Sequence, residues 1–210
     1  MSKVLIFVSE NTSKFKELED CLNNLKACNK QNGDETSNLD NLVFLMIKPD
    51  GELHEIQSLD RNEIVIHKVK TARDMIKNMI HPNSECWIMV EDTSFCINKE
   101  HGFPGPFVKY YLQTNSLEAI SSKNWGSKAQ SIVTFGIGKC TSGCDLLDTR
   151  VFEDIVNGEI VVIAGTNGFG YDPIFKPIGS NKTNAEMNMN EKALFNPRVN
   201  AFTKVINYIC

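Results

Sequence analysis

The chain has 210 residues, of which 41% are hydrophobic and 23% charged, and its formal net charge is -4. That length suits one domain with a real core, residues 1–210, and the composition excludes a disordered or membrane-spanning class. The mild acidic balance lacks the basic footprint with which a nucleic-acid binder displaces counterions, so no nucleic-acid partner is expected; a free nucleotide needs only a few local cations.

The sequence opens on MSKVLIFVSE, whose apolar run of about five residues is far below the ~20 needed to cross a bilayer and shorter than a signal-peptide core. Neither export nor a membrane partner is therefore expected. Seven cysteines, an odd count, favour reduced thiols in a cytoplasmic setting. Cys140 and Cys144 bracket Thr141-Ser142-Gly143, which reads either as half a metal site or as two thiols beside a turn; no second pair completes the former.

Lys3 to Val8 is a β-branched and aliphatic run that predicts a strand, and Phe15, Leu18, Leu22 and Leu25 then recur at helical spacing. Between them lies Ser9-Glu10-Asn11-Thr12-Ser13-Lys14. Free N–H groups at a helix start favour anions and Lys14 adds a charge, so the segment suits phosphate; a plain cap by Asn11 or Thr12 is the competing reading. Cys28 to Asp40 turns polar and aperiodic and predicts a surface insertion, before Leu42 to Ile47 reads as a buried strand. Glu52 and Glu55 follow that strand. A second helix of about twenty residues is expected from Val65, Val69, Ala72, Ile76 and Met79, and a strand from Trp87 to Val90.

Glu91-Asp92-Thr93 comes next, read as a strand end. Ligands gather at strand ends in α/β sheets, and paired carboxylates there hold a hard cation or take a proton from water; an exposed acidic turn is the alternative. His101 to Lys109 is rich in Gly and Pro and leads into a short helix. Ser131 to Gly138, Arg150 to Ile155 and Glu159 to Ala164 predict three strands of an antiparallel meander, with turns at Ser142-Gly143 and Asn157-Gly158. Gly168-Phe169-Gly170-Tyr171-Asp172-Pro173 places two rings and a carboxylate on a soft loop, fit to stack on a base and accept hydrogen bonds from it, or to be core aromatics beside a turn. Glu191-Lys192 precedes Asn196-Pro197-Arg198, which caps a last helix running to about Ile209. The elements together describe an α/β protein with a mixed sheet, parallel first and antiparallel later.

In this order the motifs resemble the inosine triphosphate pyrophosphatase family, the house-cleaning nucleotide hydrolases. VSENTSK (Val8 to Lys14), ELHEIQ (Glu52 to Gln57), Lys68 within a helix, VEDT (Val90 to Thr93), the GFPGP loop with Lys109, FGYDPIF (Phe169 to Phe175) and AEM followed by EK carry the resemblance across nearly the whole chain. It implies a two-lobed fold around an elongated, twisted mixed sheet with the nucleotide in a central cleft, and a homodimer. It implies hydrolysis of ITP, dITP and XTP to the monophosphate and pyrophosphate, dependent on magnesium, for which manganese can substitute. Asp92 would bind the metal or activate water, Glu55 would be a second metal ligand and Glu91 would support them. Ser9, Asn11, Lys14 and Lys68 would hold the triphosphate, beside Asp92 and Thr93. Lys109, Phe169, Gly170, Tyr171, Asp172, Lys192, Pro197 and Arg198 would frame ribose and base.

Three departures stand out. The family usually has Ser-His-Arg where this chain has Asn196-Pro197-Arg198, so an imidazole and a backbone donor are missing and base choice should broaden or shift. Glu10 replaces a glycine near the phosphates, where a carboxylate repels them unless it points away. Glu153-Asp154 stands where an Arg-Gly pair is common. A non-catalytic nucleotide-binding or regulatory protein of the same fold is the alternative function.

Overall fold

The computed structural model describes residues 3–31, 38–80, 86–140 and 146–210. Strand β1 (Lys3–Val8) leads into helix α1 (Thr12–Gln31), and a 3-10 turn (Asn38–Asn41) leads into β2 (Leu42–Ile47). Helix α2 (Arg61–Ile76) precedes the long strand β3 (Cys86–Ile97), the two-residue β4 (Pro104–Gly105) and helices α3 (Val108–Thr114) and α4 (Leu117–Asn124). Then come β5 (Lys128–Cys140), β6 (Leu146–Ile160), β7 (Phe175–Pro177), α5 (Met189–Ala193) and α6 (Pro197–Ile209). One sheet has the order β2-β1-β3-β5-β6-β7, with β4 pairing on β3. It is mixed, as expected: β1 runs parallel to β2 and β3, while β3 with β4 and β6 with β7 are antiparallel.

The chain divides into two compact units. One comprises Met1–Asp92, Thr134–Phe152 and Val199–Cys210, the other Thr93–Val133 and Glu153–Arg198. In the first, α2 turns Val65, Val69, Ala72 and Ile76 onto a core that includes Ile6 and Val8 of β1 and Ile88 and Val90 of β3. These positions recur every three to four residues, the stripe a helix buries against a sheet. Asp60 caps α2 by accepting from Asn62 N at 2.8 Å. In the second unit the core gathers Phe95, Ile97, Val108, Ile120, Ile174 and Phe175.

Several expectations change. The predicted insertion from Cys28 to Asp40 is helical up to Gln31 and a 3-10 turn from Asn38; residues 32–37 lie outside the described residues. The strand Leu42–Ile47 is not buried: it is the sheet edge, and Val43 and Leu45 are exposed. Helix α2 ends at Ile76, and Met79, in the 3-10 turn after it, is exposed rather than on the buried face. Glu91-Asp92 is no strand end, because β3 continues to Ile97. Val161 to Ala164, expected as strand, lie beyond the end of β6, and no turn divides Arg150 to Ile155 from Glu159-Ile160, which belong to that one strand. Gly158 pairs with Pro177 there, and a Cβ on it would meet Lys176 O and the Phe175 ring at 2.5 Å, so the glycine serves close packing instead of a turn. The Ser142-Gly143 turn and Cys144 lie outside the described residues.

Candidate functional site

In the first unit, the loop after β1 is shaped by its own side chains. Ser9 Oγ accepts from Asn11 N at 3.1 Å, and Asn11 Oδ1 accepts from Ser13 N at 3.0 Å and Lys14 N at 3.1 Å. Asn11 is thus the cap of α1, meeting two of the N–H groups a helix start leaves over. Glu10 is exposed.

Lys14 Nζ reaches Glu91 Oε1 at 2.9 Å, where the Glu91 side chain is 1% exposed. Glu91 and Asp92 are both buried, which disposes of the exposed acidic turn. A carboxylate tolerates burial in a strand only when paired, and Lys14 supplies the partner. Lys68 lies on the buried face of α2 among Val65, Val69 and Ala72. Its Nζ donates to Glu91 O at 2.8 Å and also bonds Glu55 Oε1. Glu55, from the loop ahead of α2, is therefore no further from the Glu91 carbonyl than two bonds meeting on one nitrogen. Ser9, Asn11, Lys14, Glu55, Lys68 and Asp92 all belong to this unit.

Among the described residues no group of three or more His, Cys, Asp or Glu could by itself hold a metal ion. Magnesium does not need one, because it is held by one or two carboxylates together with water and substrate phosphates. Glu55 and Asp92 carry carboxylate oxygens, hard donors of the type such an ion takes.

The second unit carries the remaining positions. Asp172 is buried, and its Oδ2 accepts from Phe169 N at 3.0 Å and Lys192 Nζ at 2.8 Å. Its Oδ1 accepts from Asn184 Nδ2 at 3.3 Å. Gly168 has φ +83°, and a Cβ on it would sit 2.2 Å from Asp172 Oδ2, so only glycine lets the loop close over the carboxylate. The two aromatic rings of this loop part company. Tyr171 stacks on Phe95 with centroids 3.9 Å apart, and its hydroxyl bonds Ser131 Oγ at 2.8 Å, so this ring is a core aromatic. Phe169 is 55% exposed, with Lys192 Nζ 5.6 Å from its centroid, so it is the ring of the two more open to solvent.

Lys109 is exposed, its Nζ 5.9 Å from the Tyr110 ring. Thr93 is half-buried and Gly170 exposed. Asn196 Oδ1 accepts from Arg198 N at 2.9 Å, making Asn196 the expected cap of α6, with Pro197 as its first residue; Asn196, Pro197 and Arg198 are all buried. The sequence reading missed Asn184 and Ser131. Nothing in TNAE or QSIV marks them, since each meets its partner only through the fold.

The chain is similar to known proteins along most of its length. The Ham1 family model matches residues 5–208. The inosine triphosphate pyrophosphatase of Candida albicans is 28% identical over 209 residues, covering 98% of this chain and 97% of that one. The inosine triphosphate pyrophosphatase of Schizosaccharomyces pombe is 32% identical over 163 residues, 76% of this chain and 80% of that one. Among solved structures, a Ham1 protein from Coxiella burnetii superposes with a TM-score of 0.68 at 19% identity, over 99% of this chain and 98% of that chain. With a match that runs almost end to end and a shared fold, the chain belongs to the Ham1 family.

Proposed function

We infer that this chain is a hydrolase that cleaves non-standard purine nucleoside triphosphates, of the ITP, dITP and XTP class, to the monophosphate and pyrophosphate. Family membership and the named activity of its relatives support the reaction class. The observation that carries the assignment to residues is the buried Lys14–Glu91 pair with Lys68 bonded beside it. Beyond pairing these carboxylates, two lysines brought together near the start of α1 suit a polyanion.

In this reading Lys14, Lys68, Ser9 and the N–H groups at the start of α1 bind the phosphates. Asp92 takes a proton from the water that attacks the α-phosphorus. The bond from that phosphorus to the oxygen bridging to the β-phosphate breaks, and Lys14 and Lys68 stabilise the charge that builds on departing pyrophosphate. Magnesium, held by Asp92 and Glu55, would supply positive charge against the phosphate oxygens, and manganese would substitute. Phe169, Lys192, Asp172 and Arg198 serve the base, while Lys109 serves the ribose. Pro197 offers no donor, so selection against standard bases is looser than a site with an imidazole there would give. A cytoplasmic homodimer is part of the same proposal, to be checked by gel filtration.

The test is pyrophosphate release from ITP, dITP, XTP and the four standard triphosphates with magnesium, by the purified protein and by Asp92→Asn. Release from the non-standard set, abolished in the variant without loss of fold, is expected. Tight nucleotide binding with no release from any triphosphate would instead favour a non-catalytic binding protein.

A further inference from the structure

Asn184 is 4% exposed and sits in a segment whose backbone is fixed on both sides. Its own N–H donates to Phe175 O at 3.0 Å, the next residue's, Ala185 N, donates to Asp172 O at 3.3 Å, and Thr183 Oγ1 donates to Ala164 O at 2.8 Å. The side chain has nowhere to swing. Its Nδ2 donates to Asp172 Oδ1, while its Oδ1 is buried with no hydrogen-bond partner among the described residues.

A buried amide oxygen without a donor is a standing cost that most folds avoid. Turning the amide over would not relieve it, because Oδ1 would then face the Asp172 carboxylate, acceptor against acceptor. What the residue contributes is therefore the single bond from its nitrogen. That bond closes the set around Asp172: Phe169 N and Lys192 Nζ hold Oδ2, and Asn184 holds Oδ1. With one oxygen released, the carboxylate could rotate about its χ2 torsion, which is broad for this side chain. The exposed Phe169 ring and Lys192, both tied to that carboxylate, would move with it.

The geometry points to Asn184 as a positioning residue for base recognition, acting through Asp172 on Phe169 and Lys192. The inference rests on the reading of that cluster as the base end of the site. It predicts that Asn184→Leu, which keeps the heavy-atom count and branching but has no hydrogen-bonding groups, separates stability from recognition. Removing the unpartnered oxygen offsets the cost of leaving Asp172 Oδ1 without its donor, so the melting temperature changes little while affinity for the base falls.

Calorimetric titration with inosine monophosphate needs no turnover and probes this directly. Asn184→Leu is expected to weaken its Kd five- to tenfold, with pyrophosphate affinity unchanged, and to raise KM for ITP by a similar factor with kcat within twofold. Asn184→Ala should behave alike in Kd, which guards against a misfit of leucine. Equal Kd values in all three proteins, or a lowered melting temperature with unchanged Kd, overturn the inference, as does failure of the unchanged protein to bind inosine monophosphate. If Kd shifts as expected but no triphosphate releases pyrophosphate, the positioning role stands and the enzymatic reading falls.

Discussion

Lys68 occupies a place on α2 that Val65, Val69 and Ala72 fill with apolar groups, and it is 8% exposed. A lysine so placed is tolerated because its ammonium meets both the Glu91 carbonyl and the Glu55 carboxylate. The two partners differ in what they lose without it. Glu55 is exposed and can be hydrated, whereas the Glu91 carbonyl belongs to a buried strand residue. Lys68→Met should therefore cost only about 1–2 kcal/mol of stability, the price of one unpaired buried carbonyl. Turnover should fall far more, on the order of 10²- to 10³-fold, as for loss of a group that stabilises developing charge. Urea denaturation beside pyrophosphate release separates the two. Equal losses in both would mean that the lysine serves the fold alone.

At the scale of elements, the helices and the parallel start were legible because their apolar spacing is local. Thr12–Gln31, Arg61–Ile76 and Pro197–Ile209 all follow from three- and four-residue recurrence. Cys28 to Gln31 reads as loop from its polarity, yet Lys and Gln are good helix formers and no Gly or Pro stands among them, so α1 continues through it. Leu42–Ile47 misleads in the other direction: six apolar residues look buried, and nothing local says that β2 is the sheet edge. Asn157-Gly158 carries the strongest hairpin signal, but the contacts of Gly158 with Phe175 and Lys176 override it. The site positions were legible for another reason, their order as short motifs, while Asn184 and Ser131 depend on partners 12 and 40 residues away. The cap of α1 tests the local reading. Asn11→Ala should cost about 1 kcal/mol, and Asn11→Gly only a few tenths, because glycine leaves the two N–H groups open to water. Chemical denaturation of the two variants gives the comparison; an alanine variant as stable as the glycine one would deny Asn11 a capping role.

For the molecule as a whole, 26 acidic residues face 22 basic ones, so the carboxylates set its response to acid. Glu100 and Glu191, among the described residues, are held below their ordinary value near 4.5. Glu100 is lowered mainly by its hydrogen bond from Lys123, and also by one from Asn124; Glu191 is lowered by its bond from Lys182 and then by the Asn188 backbone. A carboxyl whose folded value lies below its unfolded one stabilises the fold at pH above the unfolded value, and that contribution disappears as pH falls through the folded value. The window therefore lies on the acid side, below about pH 4.5. The Glu100 side chain is 17% exposed and that of Glu191 39%, but their lysine partners are exposed, so salt screens both pairs and their effect is modest. The variant carrying Glu100→Gln and Glu191→Gln should be slightly less stable than the unchanged protein at neutral pH. The difference should shrink to nothing between about pH 5 and pH 3, and shrink also in high salt at neutral pH. Urea midpoints taken across that range decide it. A gap that stays constant with pH would assign the two glutamates a role in shape, such as the Glu191 bond that caps α5, and none in charge.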